Sequence, residues 1–208
     1  MTATKEKYHH GDLRTALLDA ALAVIDEIGP QGLTIREVAR RAGVSHAAPY
    51  RHFADRDELI LAVVEQGFDR LQATMDAEKQ AADDNPVSQF AASGMAYLQF
   101  AFENPAYYRV MFSGDLLSSQ GHVTFQHTSH ESLQDLVTDI AACQRLGIVR
   151  EGDPNTQALT ILSTIHGFVS LVNDNRVGHL VDASYTLDSL RDAVLGHLFE
   201  GLGTGNTP

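Results

Sequence analysis

The sequence contains one cysteine, Cys143, and no tryptophan. A single cysteine excludes a disulfide within the chain and a zinc site built from several cysteines. The longest stretch without charge, residues 154–173, carries too many Thr, Ser, Gln and His side chains for a membrane span of about 20 apolar residues. The first residues hold no apolar run of the secretory type. We therefore expect a cytoplasmic protein.

Positive charge is also scarce, since 15 Lys and Arg face 27 Asp and Glu and the formal net charge is −12. Taken over the whole chain, this balance argues against a nucleic-acid partner. The charge is unevenly distributed, however. Residues 1–60 hold 8 basic and 9 acidic side chains, whereas residues 61–208 hold 7 and 18. A nearly neutral N-terminal part can meet DNA if the acidic remainder points away from it.

The sequence lacks the common motifs of enzymes. It contains no Gly-rich phosphate loop, no Gly-x-Ser-x-Gly elbow and no His-Glu-x-x-His zinc motif. His127 and His130 lie three residues apart and would share a helical face, which suits a metal site, but a solvated polar face explains them better. We expect no catalysis, no bound metal and no cofactor.

Apolar residues recur with a period near 3.6, and no strand-length run alternates, so the pattern predicts an all-α fold. Gly29-Pro30, Gly43 and Gly147 end helices, because glycine accepts the left-handed cap and proline cannot continue a helix. A capping box is expected at Thr34, whose hydroxyl would accept a backbone amide while Glu37 reaches back. Further N-caps are predicted at Ser45, Asp55 and Asp153. About nine helices are predicted, near residues 13–28, 34–42, 45–53, 55–83, 88–103, 106–112, 125–146, 154–173 and 187–202.

Residues 34–53 have the form of a helix-turn-helix, with two short helices joined by a tight turn at Gly43-Val44. The second helix of such a motif enters the major groove of DNA. Pro49 lies within this second helix, where it removes one amide and crowds the Ser45 carbonyl. We therefore expect a distorted or 3₁₀-like recognition helix.

Four short runs keep fixed spacings in this region: residues 33–39 (LTIREVA), 42–45 (AGVS), 50–53 (YRHF) and 57–59 (DEL). They resemble the N-terminal domain of TetR-family transcriptional regulators. Residues 8–14 (YHHGDLR) and Ile165-His166-Gly167 further resemble a branch of that family with a Trp-His-Gly motif in its C-terminal domain, and Ile165 stands in place of the Trp. The resemblance implies a three-helix DNA-binding domain over 1–60 and a helical ligand-binding and dimerisation domain over 61–208.

The resemblance also implies which residues meet DNA. Hydroxyls, helix-start amides and cations would contact phosphates, and an early position in the recognition helix would face base edges. The residues implied for the phosphates are Thr34, Ser45, Tyr50, His52 and Arg56, the last in a place where the family usually has Lys. Those implied for the bases are His46 and Ala47, and Arg36 suits either.

A small-molecule ligand and a second copy of the chain are the other implied partners. Pockets are mostly apolar with a few polar groups, and ordinary core packing is the alternative for each candidate. The ligand candidates are Phe100, Tyr107, Met111, Phe112, His127, His166 and Asn173. The candidates for the dimer interface, which intramolecular packing also explains, are Leu159, Leu162, Leu190, Val194 and Leu198.

Together these features predict a repressor that binds a palindromic operator in double-stranded DNA as a homodimer and is released by a small-molecule inducer. Only the resemblance favours repression over activation. The alternative is an all-α module that binds a small molecule and does not recognise DNA, which the unusual Pro49 favours.

Overall fold

The computed structural model describes residues 10–113, 133–179 and 185–203. Over these residues the chain forms eight α-helices and three 3₁₀ turns, and β structure is limited to one bridge between Val149 and Gly203. The all-α prediction is confirmed, with about the expected number of helices. The helices are α1 (His10–Ile28), α2 (Ile35–Arg41), α3 (Arg56–Ala81), α4 (Pro86–Glu103), α5 (Pro105–Met111), α6 (133–145), α7 (Pro154–Asn173) and α8 (Leu187–Leu202).

Helix α1 forms because its apolar residues recur on one buried face that includes Leu17, Ala21 and Val24. Its end is set by Gly29, which has a φ of +78° and donates its amide to the Ile25 carbonyl at 3.0 Å. Pro30 then begins a 3₁₀ turn, because a residue without an N–H cannot extend the α-helix. The predicted end of the first helix at Gly29-Pro30 is confirmed.

Helix α2 begins at an N-cap that is only half of the predicted capping box. The Thr34 hydroxyl accepts the Glu37 amide at 3.2 Å, as expected. The Glu37 carboxylate does not reach back to Thr34, because it takes two hydrogen bonds from the Arg40 guanidinium one turn further on. The reciprocal half of the box was therefore a wrong prediction. The pair with arginine joins two opposite charges through two hydrogen bonds, whereas a backbone amide offers the carboxylate one uncharged donor.

Helix α3 is the longest helix, and its start is fixed by reciprocal hydrogen bonds. The Asp55 carboxylate accepts the Glu58 amide at 2.9 Å, and the Glu58 carboxylate accepts the Ala54 amide at 2.5 Å. These bonds satisfy amides that have no partner within the helix. The predicted cap at Asp55 is confirmed, and the helix ends at Ala81, close to the expected break.

Helix α7 also has the predicted cap, at Asp153. Its carboxylate accepts the amides of Asn155 and Thr156, each at 3.2 Å, and the Thr156 hydroxyl at 2.7 Å. These bonds favour the ionised form and lower the pKa of Asp153 to about 2. Before this helix, Gly147 ends α6 with a φ of +69°. The cap at Asp153 and the helix end at Gly147 are both confirmed.

Packing divides the chain into two compact units. The first holds the described residues up to Asp69 and those from Asn104 to 113, and the second holds Arg70–Glu103 and the described residues from 133 onward. In the first unit α1 packs on α2 and α5; in the second α4 packs on α7 and α7 on α8. The functional division between residues 60 and 61 stays a prediction. No described helix combines the length and apolarity needed to cross a bilayer.

Candidate nucleic-acid interface

A tight turn follows α2 and closes it. Gly43 has a φ of +69°, and its amide donates to the Arg40 carbonyl at 3.2 Å. The Val44 amide reaches further back, to the Ala39 carbonyl, at 3.0 Å. These two bonds form a Schellman motif, which satisfies helix-end carbonyls and turns the chain sharply. The predicted turn at Gly43-Val44 is confirmed.

The recognition segment, residues 45–53, is not an α-helix. Pro49 has no amide to donate to the Ser45 carbonyl, which instead accepts the Ala48 amide at 2.9 Å. The Arg51 amide then donates to the Ala48 carbonyl at 3.2 Å, and Pro49–Arg51 form a 3₁₀ turn. The expected distortion is confirmed. The turn is preceded by Ala48 and has no side-chain cap, so the prediction of Ser45 as an N-cap was wrong.

Most of the residues predicted to contact DNA have accessible side chains. Tyr50 is 60% exposed, a large value for an aromatic residue. Pro49 and Phe53 on either side of it are buried, so the backbone of the recognition segment is held by the core while Tyr50 projects outward. The other exposed residues among those predicted to contact DNA are Thr34, Arg36, Ser45, His46 and Ala47.

His52 is half-buried, whereas Tyr50 and Arg51 just before it are exposed. Its Nε2 atom is inaccessible to solvent and has no hydrogen-bond partner among the described residues. The ring also lies beside Phe53, with 6.4 Å between the centroids. A phosphate cannot reach Nε2 without movement of the ring, so a contact with DNA would use the other nitrogen.

The arginines of this region differ in how they are engaged. Arg40 is bound by Glu37, whose pKa the Arg40 hydrogen bond lowers, and Arg41 is paired with Glu27 on α1. Arg36 and Arg51 are exposed, and their guanidinium groups form no ion pair or hydrogen bond with any described residue. Arg51 was not among the predicted contacts, although its place in the YRHF run beside Tyr50 was a signal.

Arg56 lies at the start of α3, but its guanidinium is turned toward backbone carbonyls. Its Nε donates to the Leu33 carbonyl at 2.9 Å and Nη2 to the Pro30 carbonyl at 3.1 Å. Its Nη1 also lies 3.7 Å from the Asp57 carboxylate. These bonds tie the turn before Thr34 to the start of α3. The contact between Arg56 and a phosphate stays a prediction.

A second arginine holds the recognition segment from the side of α1. The Arg14 guanidinium carbon lies 5.5 Å from the ring centroid of Phe53. A cation over an aromatic face is attracted by the ring quadrupole. Phe53 is itself 2% exposed, so the end of the recognition segment is fixed both by burial and by this contact.

Three of the predicted ligand residues pack tightly in the first unit. The Tyr107 hydroxyl donates to the Gln66 carboxamide at 2.7 Å. Met111 is fully buried, and a Cβ at Gly67 would lie only 2.6 Å from its sulfur. Phe112 lies 6.0 Å from Phe68 and 4.7 Å from Tyr108, measured between ring centroids. These contacts have the character of a filled core.

The remaining described candidates lie in the second unit. Phe100 is buried, and the Asn173 carboxamide donates to the Ala101 carbonyl at 3.3 Å. His166 is half-buried on α7, and burial lowers its pKa. The predicted ligand set thus divides between the two compact units, and His127 lies outside the described residues.

A cleft between α4 and α8 was not predicted. It has a volume of about 250 Å³. Its apolar lining includes Met95, Leu98 and Phe102, whose spacing along α4 places them on one helical face. Polar groups at the cleft come from Gln99, Glu103 and Arg191. The spacing of these three apolar residues is the sequence feature that indicated an apolar face on α4.

The predicted dimer residues lie on surfaces that α7 and α8 leave open. Leu159 is 59% exposed, and no residue of α8 is buried although the helix carries several large apolar side chains. Phe199 is 47% exposed. Such a face is typical of a helix that another apolar surface covers. The half-buried predicted residues are Leu162, Leu190, Val194 and Leu198.

Two family models match the chain. One, described as bacterial regulatory proteins of the tetR family, matches residues 17–63, and a tetracyclin repressor-like C-terminal domain matches residues 90–194, roughly half of the chain. The protein belongs to the TetR family. The first match covers α2, the Gly43 turn and the recognition segment. Members of the TetR family are transcriptional regulators rather than enzymes.

Curated relatives align with the chain over part of their length. The HTH-type transcriptional activator FasR of Mycolicibacterium smegmatis is 29% identical over 127 residues, which are 61% of this chain and 58% of FasR. The HTH-type transcriptional regulator BetI of Serratia proteamaculans is 35% identical over 80 residues, 38% of this chain and 40% of BetI. The chain thus aligns with about half the length of these relatives.

Solved structures match over nearly the whole chain. A protein of unknown function from Rhodococcus sp. RHA1 is 30% identical with a TM-score of 0.80, covering 96% of this chain and 100% of that one. AibR, solved with isovaleryl coenzyme A and operator DNA, is 16% identical with a TM-score of 0.70, covering 91% and 97%. At that identity the match to AibR shows a shared fold alone.

Proposed function

We propose that this TetR-family protein is a transcriptional repressor that binds a palindromic operator as a homodimer and is released by a small molecule. The observation that carries the proposal is the exposed recognition segment. It follows a glycine-closed turn, and buried Pro49 and Phe53 hold it in place. The repressor-like C-terminal model favours repression. FasR is named an activator, so measuring transcription of the target gene has to decide between repression and activation.

The proposed contacts with DNA follow from exposure and chemistry. Thr34 and Ser45 offer hydroxyls to phosphates, Tyr50 offers a phenol, and His52 a ring nitrogen. His46 and Ala47 are exposed at the start of the recognition segment and are proposed to face base edges. Arg36 reaches either a base or a phosphate. A palindromic site requires two such segments about 34–36 Å apart, which a two-fold dimer supplies.

The dimer is proposed to form through α7 and α8. Leu159 and the half-buried residues of α8 would be covered by the same residues of a second copy, because a two-fold interface is self-complementary. Interfaces of permanent homodimers are more apolar than the rest of a protein surface. The open apolar side chains of these two helices fit that description.

The inducer is proposed to bind among the residues of the C-terminal part, with Phe100, His166 and Asn173 as polar and aromatic candidates. Tyr107, Met111 and Phe112 pack as core, so a ligand near them would have to displace existing contacts. The AibR complex supports a coupling of small molecule and operator on this fold. Ile165-His166-Gly167 on α7 supports membership of the Trp-His-Gly branch. As a transcriptional regulator, the protein would be located in the cytoplasm.

Matched tyrosine variants test the proposed DNA contact. Tyr50→Ala removes a side chain from the recognition segment, whereas Tyr185→Ala removes one that is similarly exposed, at 53%, in the second unit. We expect Tyr50→Ala to weaken binding to every duplex by about tenfold or more, as loss of a bond to a charged phosphate does. Tyr185→Ala should leave affinity unchanged. Equal affinities for both variants would overturn the proposed contact.

A second candidate function is the ligand-binding module without DNA recognition. The observation that favours it is the 3₁₀ turn at Pro49–Arg51, which replaces the expected recognition helix. A protein of this kind would show no preference for promoter DNA and no effect of Tyr50→Ala. It would still gain thermal stability with its small molecule, because a ligand that binds only the folded state stabilises it.

A further inference from the structure

The described arginines of the N-terminal unit are not equally available to DNA. Arg40 and Arg41 are each paired with a glutamate, and Arg56 is bound to two backbone carbonyls. The Arg14 guanidinium lies over the Phe53 ring. Only the side chains of Arg36 and Arg51 have neither a polar partner nor an aromatic face among the described residues. The glutamates offset the charges of Arg40 and Arg41, and the carbonyls occupy donors of Arg56, so these side chains have less to offer a phosphate.

We propose that Arg51 is a phosphate anchor of this protein and that Arg56 is a positioning residue. This inference rests on the proposed binding of DNA. Arg51 ends the 3₁₀ turn between buried Pro49 and buried Phe53. Its backbone is therefore held by the core while its guanidinium is exposed. Arginine is suited to phosphate because its planar fork presents several donors at once.

Arg56 has a different task in this arrangement. Its two hydrogen bonds hold the carbonyls of Pro30 and Leu33, the residues just before the Thr34 cap. Moving the guanidinium to a phosphate would break both bonds and leave the carbonyls without that donor. Arg56 therefore acts through the turn that places Thr34 and α2. A lysine ammonium has three donors but lacks the planar fork, so it does not reproduce the geometry of these two bonds.

The net charge of −12 makes the two assignments measurable. Few cations oppose the repulsion between the acidic chain and DNA, so each phosphate anchor has a large share in the salt dependence. On B-DNA, each neutralised phosphate contributes about 0.9 to the slope of log K against log salt. A homodimer loses two contacts with each substitution, which reduces the slope by about 1.8.

The experiment measures this slope by fluorescence anisotropy on promoter DNA from about 50 to about 200 mM salt, with thermal melting of each variant. We expect Arg51→Gln to reduce the slope by about 1.8, to melt like the wild type, and to be rescued by Arg51→Lys. Arg40→Gln is the matched control and should leave the slope nearly unchanged. Arg56→Gln should lower the melting temperature and leave the slope unchanged, and Arg56→Lys should not restore stability.

Three outcomes would overturn the inference or its basis. A wild-type slope in Arg51→Gln shows that Arg51 is not an anchor. A reduced slope in Arg56→Gln without loss of thermal stability shows that Arg56 is the anchor instead. Failure of the wild type to bind any duplex contradicts the proposed function itself, and the inference about Arg51 falls with it.

Discussion

The guanidinium of Arg109 donates a hydrogen bond of 3.2 Å to the carbonyl of Ile25 in the last turn of α1. The same carbonyl accepts the Gly29 amide. A cation near the C-terminal carbonyls of a helix interacts favourably with the helix dipole. α5, which carries Arg109, lies within the residues matched by the C-terminal family model but belongs by packing to the unit that contains the recognition segment.

Removing this bond should destabilise the protein. Arg109→Ala is expected to cost about 1 kcal/mol, the net contribution of a typical hydrogen bond, because the Ile25 carbonyl keeps its second donor. For a protein of this size, that corresponds to a fall of about 2–4 °C in the melting temperature. Arg145→Ala is the matched control, since Arg145 is an exposed arginine on α6. Equal melting temperatures for the two variants would contradict a stabilising role for Arg109.

Close packing of α3 against α5 gives a second prediction. A Cβ at Gly67 would lie 2.6 Å from the Met111 sulfur and 3.1 Å from a ring carbon of Tyr107. Both side chains are buried, so neither has space to move away. We expect Gly67→Ala to cost about 1–3 kcal/mol by overpacking.

The control for this substitution is Gly94→Ala, at a helical glycine where a Cβ would meet no atom within 4 Å. This variant should gain about 0.5–1 kcal/mol, because alanine loses less backbone entropy in a helix. Chemical denaturation of both variants measures the difference. A Gly67→Ala protein as stable as the wild type would mean that the packing around Met111 is looser than it is here.

The cap of α7 predicts a dependence of stability on pH. The hydrogen bonds to Asp153 lower its pKa from 3.8 to about 2. Stabilisation by the ionised cap is therefore fully present above about pH 3.8 and is lost as the pH falls through about 2. Asp153→Ala should melt below the wild type at neutral pH, and this gap should close as the pH approaches 2. A gap of constant size would contradict the role of the charge, and Asp84→Ala, at an exposed site, is the control.

Protonation of His166 should destabilise the folded protein, whereas ionisation of Asp153 stabilises it. Burial lowers its pKa below 6.5, so the unfolded chain takes up a proton at a higher pH than the folded protein does. The wild type should therefore lose stability relative to His166→Gln as the pH falls below about 6.5, until the folded form is protonated too. Melting curves across this range test it, with His197→Gln on the exposed face of α8 as the control. Parallel curves for wild type and His166→Gln would contradict the effect of burial.

Features set by neighbouring residues were predictable from the sequence. The helix ends at Gly29 and Gly147 and the caps at Thr34, Asp55 and Asp153 depend on residues within four positions of each other. The distortion at Pro49 was also predictable, because the missing amide is a property of proline itself.

Features that depend on distant parts of the chain were not predictable. Arg56 is bound to carbonyls 23 and 26 residues away, and Arg41 is paired with a glutamate 14 residues away. No local pattern distinguishes these arginines from Arg51, whose side chain has no partner among the residues that the structure describes. The Glu37 carboxylate can reach either the Thr34 amide or the Arg40 guanidinium. The spacing of the residues alone does not decide which of the two it binds. The inclusion of α5 in the first unit likewise follows only from packing.

The proposed function requires that the recognition segment binds a specific DNA duplex. The most direct test is fluorescence anisotropy of the purified protein on DNA from its own promoter region, with a scrambled duplex of equal length as the control. We expect salt-dependent binding that prefers the promoter, at two protomers or a multiple of two per site. Equal, weak binding to both duplexes, repeated in a selection from random DNA, would contradict it and leave the ligand-binding module as the function.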